Sequence, residues 1–234
     1  MSLILGIETA TKMCSVVISR DGVLLALKET GGEYSHSENL NHFVELACNE
    51  AKIKLNELDA IAISKGPGSY TGLRIGVSSA KGLCYGLEKP LIAVDTLKAL
   101  ALSVINSHPL VEDLGGVTLF CPMIDARRME VYTALYNSSL EMIEPISAKV
   151  MDESSFVKVL EEHKVVFFGD GAEKCKTLLS GHKNAVFIDN VEPSAKYINQ
   201  LALEKLNKQQ FEDIAYFEPY YLKEFLATTP KNKV

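Results

Sequence analysis

The chain has 234 residues, 47% of them hydrophobic and 23% charged, with a net charge of −6. The hydrophobic share supports a packed core and excludes a disordered chain, and the length fits one large domain or two small ones. The acidic balance argues against this chain alone gripping a phosphate backbone, which takes an excess of Lys and Arg.

Three strands open the chain: Leu3 to Glu8, Cys14 to Ser19 and Val23 to Lys28. Arg20-Asp21-Gly22 joins the last two, and Asp-Gly is a hairpin signal because type I′ turns need positive φ. A helix is predicted from about Ser37, with Ser35 and Glu38 at capping-box spacing and Leu40, Phe43, Val44, Ala47 and Ala51 on one face. Asp59 to Ser64 reads as a buried strand, Thr71 to Tyr85 as a helix and Pro90 to Val94 as a strand. Asp95 is placed to N-cap a third helix through Leu102.

The stretch from Ser103 to Gly116 holds Asn106, Pro109, Gly115 and Gly116 and is taken as a boundary, giving units 1–105 and 106–234. The second half repeats the order of the first. Strands are predicted at Val117–Ile124, Met129–Tyr136, Ile143–Val150, Val165–Phe168 and Ala185–Ile188, and helices at Glu153–Glu162, Ala172–Leu179 and Ser194–Leu206. Two copies of strand-strand-strand-helix-strand-helix-strand-helix indicate a duplicated α/β unit with a mixed sheet in each half. That order matches the actin-like ATPase, or RNase H-like, fold.

Cys14, Cys48, Cys84, Cys121 and Cys175 are odd in number and form no CxxC pair, which speaks against a disulfide framework or a structural zinc site. Leu3 to Ile7 is too short for a signal segment and is broken by Glu8. No run approaches the ~20 apolar residues of a membrane helix. A cytoplasmic protein is expected.

Gly66-Pro67-Gly68-Ser69 leads from a strand into a helix, a place where backbone N–H groups can face an anion. Two nucleotide motifs fail there. No Gly-Lys follows Gly66 at P-loop spacing, and Thr71 stands where the dinucleotide fingerprint needs its third glycine. A plain turn remains, with Pro67 fixing φ and Gly68 permitting a positive one. The helix that follows carries Gly72, Gly76, Ser78, Ser79, Ala80 and Gly82, with only Arg74 and Lys81 charged. Interior glycines cost ~1 kcal/mol each relative to alanine, so a close approach of another backbone must offset them. That neighbour lies either in the same domain or on a second subunit. On the second reading the interface comprises His36, Leu40, Phe43, Ala47, Gly72, Leu73, Gly76, Val77, Ala80 and Leu83. Gly76→Arg or Leu73→Glu is then expected to abolish pairing and spare the fold.

Several segments together resemble the TsaB family: Ile7-Glu8-Thr9-Ala10-Thr11, the run from Gly66 to Gly76, Ser79 to Leu83, Ile124 to Tyr132, and Pro219-Tyr220-Tyr221-Leu222-Lys223. Lys223 replaces the arginine of that closing motif. The resemblance covers nearly the whole chain and is more specific in its first half. It implies a non-catalytic subunit in tRNA threonylcarbamoyladenosine synthesis, pairing with the transferase TsaD and joined by the ATPase TsaE. It also implies a homodimer when alone, tRNA contact only through the complex, and no cofactor or metal of its own. TsaD-type proteins carry a metal-binding His-x-x-x-His where this chain has Thr96 and Leu100, and leucine cannot ligate a metal.

The other candidates for chemistry are few. His36 is expected to be exposed or at an interface, and His42 lies on another face of the same helix. His108, His163 and His182 read as surface residues. Glu8 and Asp125 end comparable strands, and a kinase or ATPase using them is the alternative reading. Asp125 with Arg127 and Arg128 is otherwise an ion-paired turn. Gly169-Asp170-Gly171 reads as a turn with Asp170 as a helix N-cap.

Overall fold

The computed structural model describes residues 1–32, 36–107 and 117–223. The expected cap Ser35, His108, and the boundary residues Pro109, Gly115 and Gly116 lie outside them. The first half runs β1 (Leu3–Glu8), β2 (Met13–Arg20), β3 (Val23–Gly31), α1 (His36–Ala51), β4 (Ala60–Gly66), α2 (Tyr70–Leu87), β5 (Leu91–Asp95) and α3 (Thr96–Ser107). The second runs β6 (Thr118–Asp125), β7 (Glu130–Tyr136), β8 (Met142–Val150), α4 (Val157–Glu162), β9 (Lys164–Phe168), α5 (Lys176–Leu179), β10 (Ala185–Ile188) and α6 (Ala195–Asn207).

Each half builds a five-stranded mixed sheet, ordered β3-β2-β1-β4-β5 and β10-β9-β6-β7-β8. β1 pairs antiparallel with β2 and parallel with β4, and β6 does the same with β7 and β9. The two sheets therefore share one topology, as the duplicated sequence pattern predicts. Asp21 and Gly22 both hold positive φ, at 49° and 81°, as the Asp-Gly hairpin requires.

The sheets are covered differently on their two faces. On the outer face of the first sheet, Leu5, Ile7, Ile61 and Ile63 pack with Leu40, Val44 and Ala47 of α1 and with Val77, Ala80 and Cys84 of α2. On its inner face, Ile4, Ala60, Ala62, Ile92 and Val94 meet Ile198, Leu201 and Ala202 of α6. The second sheet turns Phe120, Ile124, Tyr136, Val166 and Phe168 onto Leu97, Leu100, Ala101 and Val104 of α3. The last helix of each half thus covers the other half's sheet. A cut between residues 105 and 106 falls in the last turn of α3 and would strip both sheets of an inner layer.

Asn199 fastens α6 to the first sheet. Its buried amide donates to the Ile4 carbonyl and to Ser19 Oγ, both at 2.9 Å. Gly6 makes the room, since a Cβ there would lie 2.1 Å from Asn199 Oδ1.

Beyond α6 the chain crosses back over the first half. Glu212 N donates to the Leu91 carbonyl at 2.9 Å and Tyr220 N to the Lys65 carbonyl at 2.7 Å. Lys81 Nζ donates to the carbonyls of Ala215 (3.3 Å) and Phe217 (2.9 Å). Lys223 then pairs with Glu130 in the second half. Residues 208–223 form a strap tying α2, β4, β5 and β7 together.

Two helices are shorter than predicted. The one expected from Glu153 begins at Val157, because Asp152 Oδ1 accepts from Ser154 N at 2.9 Å and from the hydroxyls of Ser154 and Ser155. Such local side-chain bonds compete with helix formation. The one expected over Ala172–Leu179 is a 3₁₀ turn, Glu173–Cys175, followed by the four residues of α5.

Candidate functional site

The turn between β4 and α2 folds against the end of β1. Gly66 holds φ +116°, and a Cβ there would meet the Tyr220 carbonyl at 2.7 Å. Positive φ thus falls on Gly66, not on Gly68 as expected; Gly68 is needed for space, 2.3 Å separating its ideal Cβ from the Ala10 carbonyl. The Gly66–Pro67 peptide is cis. Ser69 N donates to the Ala10 carbonyl at 2.6 Å, and its hydroxyl caps α2 by accepting from Gly72 N at 3.3 Å. The N–H groups that could have faced an anion are partly spent inside the chain. The second half copies the arrangement: Gly169 has φ +100° and presses on the Met123 carbonyl, while Gly171 sits against Ile124 and Asp125.

The same contact explains two helix glycines. An ideal Cβ on Gly72 would stand 2.1 Å from the Thr9 carbonyl, and one on Gly76 2.2 Å from Thr9 Oγ1. The backbone that approaches α2 here is the chain's own turn after β1. Of the ten residues named for an interface, Leu40, Ala47, Gly72, Leu73, Gly76, Val77 and Ala80 are buried within this chain, and Phe43 and Leu83 are half-buried against the same core. Gly76→Arg or Leu73→Glu would therefore break the first half itself, so neither can test pairing. His36 is also buried, not exposed, with Nε2 2.8 Å from the Thr11 carbonyl.

The outward face of α1 and α2 carries other residues. On α2 it shows Thr71, Arg74, Ser78, Gly82, Tyr85 and Gly86, and on α1 His42 and Leu46. Leu46 is 36% and Tyr85 83% exposed. A Cβ on Gly82 or Gly86 would meet nothing within 4 Å, so no intrachain contact offsets their helix cost. The helical period could have found them, because Gly82 falls on the Thr71–Ser78 stripe, opposite Ala80.

Glu8 and Asp125 end β1 and β6 in opposite surroundings. Glu8 is fully buried, with Oε1 accepting from Ala10 N (2.6 Å) and Ser64 Oγ (2.8 Å). Its Oε2 has no hydrogen-bond partner among the described residues. Burial pushes its pKa up to about 7, against the opposing bonds from Ala10 and Ser64. Asp125 is exposed and its Oδ1 accepts from Lys174 Nζ and from the backbone N–H of Arg127 at 3.1 Å, while neither the Arg127 nor the Arg128 side chain pairs with it. Asp170 does not cap a helix either. Its Oδ1 accepts Asp125 N at 3.0 Å, and burial raises its pKa with help from Glu192 and Asp125. Asp95, expected to cap α3, pairs with Lys65 at 3.1 Å. His163 and His182, expected on the surface, are half-buried.

Thr96 and Leu100 are both buried, Leu100 in the core shared by α3 and the second sheet. Among the described residues, no three His, Cys, Asp or Glu side chains gather to hold a metal, and no helix is long and apolar enough to cross a membrane.

Residues 30–230 match the protein-family model described as TsaD, tRNA N6-adenosine threonylcarbamoyltransferase. The chain is similar to the tRNA threonylcarbamoyladenosine biosynthesis protein TsaB of Bacillus subtilis strain 168, at 31% identity over 75% of this chain and 74% of that protein. It is 37% identical to the protein of the same name from Escherichia coli K12, over 57% of this chain and just over half, 54%, of that one. The solved structure of YeaZ from Pseudomonas aeruginosa superposes with a TM-score of 0.80 at 24% identity, covering 95% of this chain and 100% of that one, a likeness of fold. A match over this much of the chain, joined to the TsaB relatives, makes the chain a member of the TsaB branch of the TsaD family.

Proposed function

We propose that this chain is a non-catalytic subunit in tRNA threonylcarbamoyladenosine synthesis that binds and activates a TsaD-type transferase through the outward face of α1 and α2. The carrying observation is that face. Gly82 and Gly86 have open space at their Cβ positions, Tyr85 lies between them on α2, and Tyr85 and Leu46 of α1 are both exposed. Small residues let a second helix come close, and exposed apolar side chains gain by being covered. Buried Thr96 and Leu100, at the positions of the TsaD-type histidines, support leaving the chemistry to the partner. A TsaE-type ATPase joins the pair, tRNA is met through the assembly, and the chain alone pairs with a second copy.

Reconstitution tests this. The chain, a TsaD-type subunit from the same source and the remaining components are assayed for modification of tRNA, with and without the chain and with Gly82→Arg. Modification is expected to need the chain and to be lost with Gly82→Arg, alongside loss of co-purification. Full modification without the chain would refute the proposal. So would ATP turnover by the isolated chain that disappears in Asp125→Ala, which would favour the kinase or ATPase reading instead.

A further inference from the structure

α2 has α1 on one side and the strap on the other. Between α2 and the strap runs a groove of about 400 Å³, lined by Tyr70, Arg74, Ser78 and Lys81 and, across from them, by Glu218 and Tyr221 among others. Its walls are aromatic: the Tyr70 and Tyr221 rings lie 4.7 Å apart. Its two cations are in different states. Lys81 is spent on the carbonyls of Ala215 and Phe217. Arg74 is exposed, lies 5.2 Å over the Tyr70 ring and donates to Tyr70 Oη at 3.3 Å. It makes no ion pair among the described residues, although Glu218 lines the same groove. A guanidinium that spends one N–H on Tyr70 Oη keeps its other donors, and their fork matches a carboxylate.

We infer that the groove is a docking slot for an acidic side chain of the protein partner seated on α2, with Arg74 as its anchor. The inference rests on the pairing proposed above and adds the chemistry that the partner must bring. Continuity supports it, since Arg74 and Ser78 line the groove and also belong to the outward face of α2. Charge supports it too: an exposed guanidinium with no ion pair among the described residues fits one carboxylate, and the chain's net charge of −6 disfavours an RNA phosphate backbone. A second copy, which carries Glu38 and Glu45 exposed on α1, and an RNA phosphate are the competing occupants.

The test titrates the TsaD-type subunit from the same source into wild-type chain, Arg74→Glu, Arg74→Lys and Gly82→Arg, at low and high salt. Self-association of each variant is followed by sedimentation, tRNA binding is measured on the assembled complex, and circular dichroism confirms folding. Arg74→Glu is expected to weaken the partner at least tenfold and to remove most of the salt dependence. Arg74→Lys recovers part of the affinity, and self-association is unchanged. Partner affinity within twofold of wild type for Arg74→Glu overturns the inference. Equal weakening of self-association assigns the slot to a second copy, and loss of tRNA binding with intact pairing assigns it to RNA; either result also overturns it. Gly82→Arg separates the two readings. Pairing that survives it sinks the interface itself, whereas pairing lost in Gly82→Arg but kept in Arg74→Glu sinks only the slot.

Discussion

Replacing Glu8 with Gln should flatten a specific part of the protein's stability profile. Glu8 is fully buried, has no cation against it, and leaves Oε2 without a donor, so the folded state favours the neutral acid. Its pKa rises from 4.5 to about 7. Because the folded state holds this proton more tightly than the unfolded chain does, the associated stability is complete below pH 4.5. It falls as pH rises through that value and is gone above pH 7. A shift of that size corresponds to about 3 kcal/mol. Glu8→Gln carries no proton to lose. The stability of wild type relative to Glu8→Gln should therefore drop by about 3 kcal/mol between pH 4.5 and pH 8. Urea unfolding of both proteins across that range, at one fixed protein concentration, measures the drop. Glu29 and Asp170 also have raised pKa values, but they titrate in both proteins and cancel in the difference. A difference that stays constant within 1 kcal/mol would refute the claim that Glu8 is held neutral.

The two kinds of glycine on α2 should respond oppositely to alanine. Gly76→Ala gains ~1 kcal/mol of helix propensity but drives a methyl to within 2.2 Å of Thr9 Oγ1. Thermal unfolding should show net destabilisation, by ~1–3 kcal/mol, partly relieved in the double variant with Thr9→Ala. Gly82→Ala meets open space and should raise monomer stability by up to ~1 kcal/mol while weakening association in sedimentation. Leu46→Glu should prevent self-association and leave the circular dichroism spectrum unchanged, since Leu46 lies on the outward face of α1. Asn199→Ala strips the Ile4 carbonyl and Ser19 Oγ of their shared donor and should cost ~1–3 kcal/mol in urea unfolding.

The topology was legible in the sequence because periodicity and turn chemistry agree there. β1 is buried along its whole length and reads as an apolar run ending at Glu8, and Asp21-Gly22 marks the hairpin between β2 and β3 unmistakably. Glycines revealed that something presses on α2, but not what. Gly72 and Gly76 answer to Thr9, some sixty residues earlier in the chain, a contact no local pattern encodes. Hence the predicted interface fell on the inward face of the helix, while the outward glycines at 82 and 86 were the ones without an intrachain reason. His36 misled for the same cause: its acceptor is a carbonyl on a distant turn. At Asp152 the local bonding of Ser154 and Ser155 could have been read from the Asp-x-Ser-Ser run, and the helix start moved accordingly.

The exchange of terminal helices between the halves bears on how the protein is made. During synthesis the first sheet can form once β5 has emerged, yet beyond what Ala99 and Leu102 of α3 cover, Ile4, Ala62, Ile92 and Val94 lack their main cover until α6 arrives about a hundred residues later. The nascent first half therefore carries a sticky apolar face through half of its translation. Fragments ending near residue 105 should bind chaperones or aggregate, and premature termination anywhere before Asn199 should yield no folded product. Inheriting two copies of a unit has thus left the two halves with one folding decision, taken only when α6 is in place.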